Sequence, residues 1–336
     1  MTDQIKSGET KKINSIQAIN QAISQAMDAD SMVLVLGEDV ADREGGGVVG
    51  VTKGLSTRFG DDRVKSTPIS EQAIIGAAIG AAIEGYKPVA EIMLMNFTTV
   101  AMDMIFNHAA KLRYRSGGQT TVPIVIRMMT GAGIASGGQH SDFLEAWFAH
   151  TPGLKVVAPS NPADAKGLML SCIADPDPCI FIETSRAYGV AGDVPVDPIP
   201  VPLGKAAIAR EGSDVTLISY AEMVTRCLTA AKALEAEGIS TEVVDLRTIS
   251  PWDQEAVLAS VRKTGRAIVV HEAVRSFGVG AEIAATIQEE LFGALKAPVK
   301  RLGAPFTPVP FAGNLEQAFL VSADSIADAA RQSMKP

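Results

Sequence analysis

Glu71 is the first residue of this chain that calls for a chemical explanation. It follows Thr67-Pro68-Ile69-Ser70 and opens a stretch, Ile74-Ile75-Gly76-Ala77-Ala78-Ile79-Gly80-Ala81-Ala82, with no other charge. A carboxylate there can complete a helix cap with Ser70 and answer the helix dipole. It can equally be a carboxyl group desolvated by its neighbours, its pKa raised enough to share a proton with a ligand nitrogen. The residues alone leave both readings open. His140, one of four histidines, lies in Gly137-Gly138-Gln139-His140-Ser141-Asp142, a polar loop rather than an apolar face. A loop histidine suits proton transfer, with a plain surface histidine as the alternative. His108, His150 and His271 fall in or at the ends of regular elements and read as structural.

These residues need strands and helices to hold them. From Ser15 onward, helical spacing alternates with short apolar runs, the pattern of a parallel sheet covered on both faces. Strands are expected at Met32–Leu36, Pro88–Met93, Pro123–Met128, Lys155–Ala158 and Cys179–Glu183. Helices are expected at Ile16–Met27, Gln72–Gly85, Thr98–Tyr114, from Asp142, and at Asn161–Ala174. Ala187–Pro202 carries four prolines and no periodicity and reads as a linker. Four more strands follow, Val215–Ser219, Thr241–Leu246, Ala267–His271 and Val299–Leu302, between helices near 223–237, 253–263 and 279–292. The fold class is therefore α/β, two doubly wound parallel-sheet domains over 13–186 and 205–336, joined by 187–204. In such sheets ligands sit beyond the carboxyl ends of the strands, where Gly37-Glu38-Asp39, Thr67–Glu71 and Gly131–His140 fall. Gly76 and Gly80 are each about 1 kcal/mol worse than alanine in a helix, so close approach of a second helix, or tight packing on the chain's own sheet, should compensate.

Composition narrows the functions. The chain has 336 residues, enough for two domains at roughly 150 each. A net charge of −8 gives no electrostatic footprint for nucleic acid or an anionic membrane, and no apolar run approaches the roughly 20 residues of a span. Cys172, Cys179 and Cys227 form no CxxC pair and read as reduced core thiols of a cytoplasmic protein. Residues 1–12 are polar and read as a frayed tail. Gly131-Ala132-Gly133-Ile134-Ala135-Ser136 imitates a dinucleotide loop but lacks its third glycine. There is no GxxxxGK[ST], GxSxG or HExxH, and no Gly-Asp-Gly with a following asparagine pair to hold magnesium and a diphosphate.

Taken together, the motifs resemble the beta subunit of the thiamine-diphosphate-dependent decarboxylating component of 2-oxoacid dehydrogenase complexes, with pyruvate and acetoin dehydrogenase beta subunits looking nearest. The resemblance runs from about Ile13 to the C-terminus. It rests on Gly37-Glu38-Asp39-Val40, Thr67–Glu71, Gly76–Gly80, Gln139-His140-Ser141, Pro152–Val157, Asp164–Gly167 and Asp245–Pro251, in order and at family-like spacing. It implies a transketolase-like pyrimidine-binding domain followed by a transketolase C-terminal-like domain, in an alpha-2 beta-2 heterotetramer whose alpha subunit holds the diphosphate and magnesium. The missing diphosphate motif then means that this chain builds half a cofactor site and is inert alone.

By the same resemblance, Glu71 hydrogen-bonds the pyrimidine nitrogen and Phe97 stacks on that ring. Glu38 joins a proton network near the cofactor, and His140 faces the substrate and the incoming lipoyl group. Ile124, Cys172, Asp175 and Asp177 lie where relatives hold a structural potassium ion, mostly through backbone carbonyls. Ala135-Ser136-Gly137-Gly138, Met93 and Met95 depart from the commoner pattern and bear on substrate size, since methionine accommodates several acyl shapes. The expected activity is oxidative decarboxylation of pyruvate with acyl transfer to a lipoyl-bearing acyltransferase. Acetoin and branched 2-oxoacids are alternative substrates. Other classes are half of a split transketolase, a non-catalytic docking subunit using Glu282, Glu289 and Glu290, and, remotely, an NAD dehydrogenase.

Overall fold

Strands built from consecutive β-branched and aliphatic residues, buried on both faces, need helices above and below them, and the chain supplies both. A computed structural model describes residues 8–335. Its strands are β1 (Thr10–Asn14), β2 (Val33–Gly37), β3 (Val64–Ser66), β4 (Lys87–Leu94), β5 (Val125–Thr130), β6 (Lys155–Val157) and β7 (Cys179–Thr184). There follow β8 (Ala191–Pro195), β9 (Ala207–Arg210), β10 (Val215–Ser219), β11 (Thr241–Asp245), β12 (Thr248–Ser250), β13 (Ala267–Val274) and β14 (Lys300–Ala304).

The first sheet has the order β12-β6-β7-β5-β4-β2-β3, with β12 antiparallel and the rest parallel. The second has the order β14-β13-β10-β11-β9, again parallel except for one edge, β9. The α/β class holds. β12 comes from the C-terminal half yet completes the first sheet, and one apolar cluster runs from Leu34, Ile75 and Ile126 to Ile218, Val244 and Ile283 without a break between the halves.

Several local expectations change. Thr10–Asn14, read partly as tail, pairs antiparallel with β8 inside the expected linker, while residues 1–7 lie outside the described part. Asn14 explains the switch from strand to helix: it forms a capping box with Gln17 that starts the helix Ser15–Ala29. The helix expected over Thr98–Tyr114 is a 3₁₀ turn at Met95–Thr99, a π-helical segment at Met104–Ala109 and an α-helix at Ala110–Arg115. Thr98 Oγ1 donates to the Met95 carbonyl at 2.6 Å, tightening the first turn. The helix expected from Asp142 begins at Glu145, because the Asp142 amide and carboxylate are both engaged by Asn96. Among the described residues no helix is long and apolar enough to cross a membrane, and the three cysteines are buried free thiols.

Beneath the strand ends the sheet buries an ion cluster. Arg127 on β5 faces Glu91 across the β4 register and grips Glu183 of β7 with two bonds of 2.7 and 2.8 Å. The Tyr188 hydroxyl donates to Glu183 at 2.6 Å. Burial pushes the Glu91 carboxyl up, while the two carboxylates keep the guanidinium charged. Gly37 is fixed by this packing, since a Cβ there would lie 2.9 Å from the Glu91 Cβ and carbonyl oxygen.

Arg127→Met should therefore destabilise the fold by about 3–5 kcal/mol by leaving two buried carboxylates unpaired, read as a lowered melting temperature. A pH effect is expected at the contact between the halves, where the Tyr220 hydroxyl donates to buried Glu145 at 2.8 Å. Desolvation raises the Glu145 carboxyl from 4.5 to about 7. The folded chain then binds more protons than the unfolded one between those values, so this group lowers stability as pH rises through that window. Glu145→Gln should melt progressively higher than the wild type as pH goes from 5 to 8, a gain reaching about 3 kcal/mol.

Candidate active site

Neighbouring strands lie about 4.8 Å apart, so loops leaving the same end of adjacent parallel strands are brought within one ligand's length. The strands β5, β4, β2 and β3 are adjacent and parallel. From their carboxyl ends run, in the same order, the loop carrying His140, the turn carrying Phe97, Glu38, and the segment leading to Glu71. The four residues singled out in the sequence thus leave one edge of one sheet.

Glu71 is the first residue of the helix Glu71–Ile83 and is only 9% exposed. Ser70 occupies the cap position but its side chain makes no capping bond, so the side-chain cap expected there is not formed, while Glu71 does lie in the first turn. Among the described residues the Glu71 carboxylate has no side-chain hydrogen-bond partner. Glu38 is half-buried, and its carboxyl is pushed up by desolvation and then by the charges of Glu71 and Asp39. A Glu38 carboxyl so raised keeps its proton to higher pH, which suits it to holding a proton for a ligand.

Phe97 is half-buried on the apolar core and meets the ring of His140 edge-on, centroids 5.5 Å apart. His140 itself is exposed. The loop bearing it is tied at both ends. Asn96 Nδ2 donates to the Gly138 carbonyl at 3.1 Å and to Asp142 at 2.9 Å, and Asn96 Oδ1 accepts from the Asp142 amide. The amides of Ala132, Gly133 and Ala135 donate to Glu272 and Glu316 of the C-terminal half. The sequence reading missed all three anchors. Asn96 follows a strand, where the strand-end rule could have found it; Glu272 and Glu316 are 140 and 183 residues from their partners and leave no local signal.

Met95 does not line the site: it is fully buried, and its sulfur accepts the Leu144 amide at 3.0 Å. The small-residue helix divides its two glycines. Gly76 faces Met104, whereas a Cβ on Gly80 would meet nothing within 4 Å, so packing on this chain's own sheet does not account for the second glycine.

The carboxylates of Asp175 and Asp177 are taken by cationic side chains, so a potassium ion here would rest on backbone carbonyls alone. The Lys155 ammonium donates to both Asp175 oxygens at 2.5 and 2.6 Å and lies 3.6 Å from Asp177, which also pairs with Arg113 at 2.7 Å. The carbonyls of Ile124 and Cys172 accept from the amides of Cys179 and Asp175.

Comparison with known proteins agrees with this architecture. Residues 11–190 match the pattern of the transketolase pyrimidine binding domain, and residues 204–326 that of the transketolase C-terminal domain. The chain is 48% identical to the acetoin:2,6-dichlorophenolindophenol oxidoreductase subunit beta of Cupriavidus necator, over 97% of this chain and 98% of that one. It is 44% identical to the 2-oxoisovalerate dehydrogenase subunit beta of Bacillus subtilis, over 94% and 97%. It is 43% identical to the mitochondrial pyruvate dehydrogenase beta-2 subunit of Oryza sativa, over 97% and 88%. A solved split-gene transketolase, described as an inactive beta4 tetramer, superposes with a TM-score of 0.78 at 22% identity, covering 98% of this chain and 99% of its own. The chain therefore belongs to the family of beta subunits of the thiamine-diphosphate-dependent first component of 2-oxoacid and acetoin dehydrogenase complexes, oxidoreductases built from transketolase pyrimidine-binding and C-terminal domains.

Proposed function

We propose that this chain supplies the pyrimidine-holding half of a thiamine diphosphate site and that, with an alpha subunit, it takes a two-carbon acyl unit from acetoin or pyruvate and passes it to a lipoyl group. The observation that carries the reading is Glu71, a largely buried residue beyond a strand end whose carboxylate has no hydrogen-bond partner among the described residues and has Glu38 nearby. A bound aminopyrimidine would give that carboxyl the partner it lacks, so the residues present fit the cofactor. When bound, thiamine diphosphate supplies the carbon nucleophile and electron sink for breaking the bond next to a carbonyl. Glu71 holds a proton on the ring nitrogen, and Glu38, its carboxyl raised by burial, relays protons beside it. Phe97 offers an apolar ring face, and His140, at the exposed rim, orients the oxo substrate and moves a proton during acyl transfer.

The diphosphate and magnesium fall to the alpha subunit in this reading, since the chain has no Gly-Asp-Gly motif. An alpha-2 beta-2 assembly, a lipoyl-bearing acyltransferase as acceptor partner and a cytoplasmic site of action complete it. Relatives named as acetoin oxidoreductase beta subunits at 48% and 45% identity support testing acetoin beside pyruvate as substrate. A structural potassium ion would sit on the backbone carbonyls of Ile124, Cys172, Asp175 and Asp177, since Lys155 takes the Asp175 side chain.

The test is thiamine-diphosphate-dependent reduction of an artificial acceptor by this chain alone, by the alpha subunit alone and by the two co-expressed, with acetoin, pyruvate, branched 2-oxoacids and sugar phosphates. Activity only in the mixture, with acetoin or pyruvate preferred, is expected; turnover by the isolated chain, or of sugar phosphates alone, would sink the reading. Glu71→Gln should assemble normally and lose about 10²- to 10⁴-fold in kcat. Lys155→Met should lower stability by about 2 kcal/mol, read as a lowered melting temperature.

A further inference from the structure

The loop between β5 and Asp142 has little of its own to hold its shape. Gly131, Gly133 and Ala135 all take left-handed φ values of +114°, +106° and +57°, and no helix or strand runs through the segment. Left-handed residues alternating with ordinary ones turn successive amide groups toward one side and create a concave cluster of donors, a ready seat for an anion. Here the anion is a side chain from the other end of the molecule. Glu316, in the short helix Gly313–Phe319, puts Oε1 2.7 Å from the Gly133 nitrogen and Oε2 3.0 Å from that of Ala135. Glu316 is 2% exposed and has no cationic partner among the described residues, so these backbone donors are what compensate its buried charge. Glu272 takes the Ala132 amide at 2.7 Å with one oxygen and the Arg186 guanidinium at 2.7 Å with the other.

We propose that Glu316, assisted by Glu272, is a positioning residue for His140: the C-terminal domain sets the conformation of the His140 loop by filling its backbone donor cluster with a carboxylate. The inference rests on the reading of His140 given above. Asn96 pins the far end of the loop at Gly138 and Asp142, so the histidine is carried on a short span fixed from two sides. Two further contacts agree with this. A Cβ on Gly137 would lie 3.3 Å from the Phe311 ring, and one on Gly138 would lie 3.3 Å from Pro308, so the segment that delivers Glu316 also packs on the loop just before His140. The carboxylate suits the task better than an amide, because every group it meets is a donor. Glu316→Gln keeps the shape but sets an NH₂ against a backbone N–H.

The experiment uses the assembled alpha–beta complex and four beta chains: wild type, Glu316→Gln, His140→Ala and the double variant. Glu255→Gln, an exposed helix position, is the control. Hydrogen exchange of amides 131–140 should speed up tenfold or more in Glu316→Gln and stay unchanged in the control. In the same variant kcat should fall tenfold or more, while the KM for the oxo substrate and the affinity for thiamine diphosphate stay within twofold and the melting point within a few degrees. In the His140→Ala background, Glu316→Gln should have less than a twofold further effect on kcat, the non-additivity expected when one residue acts through another. Fully additive losses, or loop exchange as slow as in the wild type, would overturn the proposal. If Glu316→Gln fails to assemble, Glu316→Asp, which keeps the charge on a shorter arm, is read the same way. Should the wild-type complex prove inactive with every substrate, the functional reading fails, and loop exchange alone then decides whether Glu316 holds the loop.

Discussion

Parallel strands cannot be joined by tight turns, and that constraint governs this molecule. Every connection must cross the sheet through a helix or long loop, so the carboxyl ends of neighbouring strands gather at one edge while the crossovers cover the faces. β5, β4, β2 and β3 therefore deliver His140, Phe97, Glu38 and Glu71 side by side, although the four span a hundred residues of sequence. What lies under that edge answers to the same geometry. A charged cluster at Arg127, Glu91 and Glu183 occupies the middle of the sheet, where only mutually paired ions can be buried, and its fixed positions leave room for glycine alone at Gly37, one residue before Glu38.

The site is electrostatically unfinished in a particular way. Its acids are collected without cations of their own: among the described residues Glu71 has no partner, and Glu38 is held up by burial and then by its neighbours' charge. Elsewhere buried carboxylates have donors of their own, as with Lys155 on Asp175, Arg186 on Glu222 and Glu272, Arg247 on Asp164, the backbone amides on Glu316 and the Tyr220 hydroxyl on Glu145. The contrast between an interior whose acids have donors and a strand edge whose acid has none is the strongest physical sign that a hydrogen-bond donor belongs at that edge.

Much of this was legible in the sequence, and the gaps have physical causes. Runs such as Val33–Leu36 and Cys179–Ile182 announce buried strands because no other short element tolerates continuous apolar residues on both faces. The shortest edge strands carry no such mark. β3, β9 and β12 are three or four residues long and partly exposed, so their hydrophobic signal is too short to read. Strand-end residues such as Glu38 and His140 stand out by polarity after an apolar run. The anchors Glu272 and Glu316 do not, since their partners are backbone amides far along the chain and backbone leaves no pattern in residue type. Likewise, that Lys155 would fill the space between two aspartates follows from β6 lying beside β7, a fact of topology rather than of spacing.

The crossing of β12 into the first sheet has a consequence for how the two halves behave as modules. Residues 248–250 belong to the C-terminal half by chain order but form the last rung of the N-terminal sheet, on β6. An N-terminal half expressed alone would present β6 as a bare edge, with unpaired amides and carbonyls open to any passing strand. The two halves would therefore be poor candidates for exchange between relatives at the linker. Recombination that moves the C-terminal half must carry a β12 that still fits the recipient's β6, which makes three residues of strand the gatekeeper of modularity here.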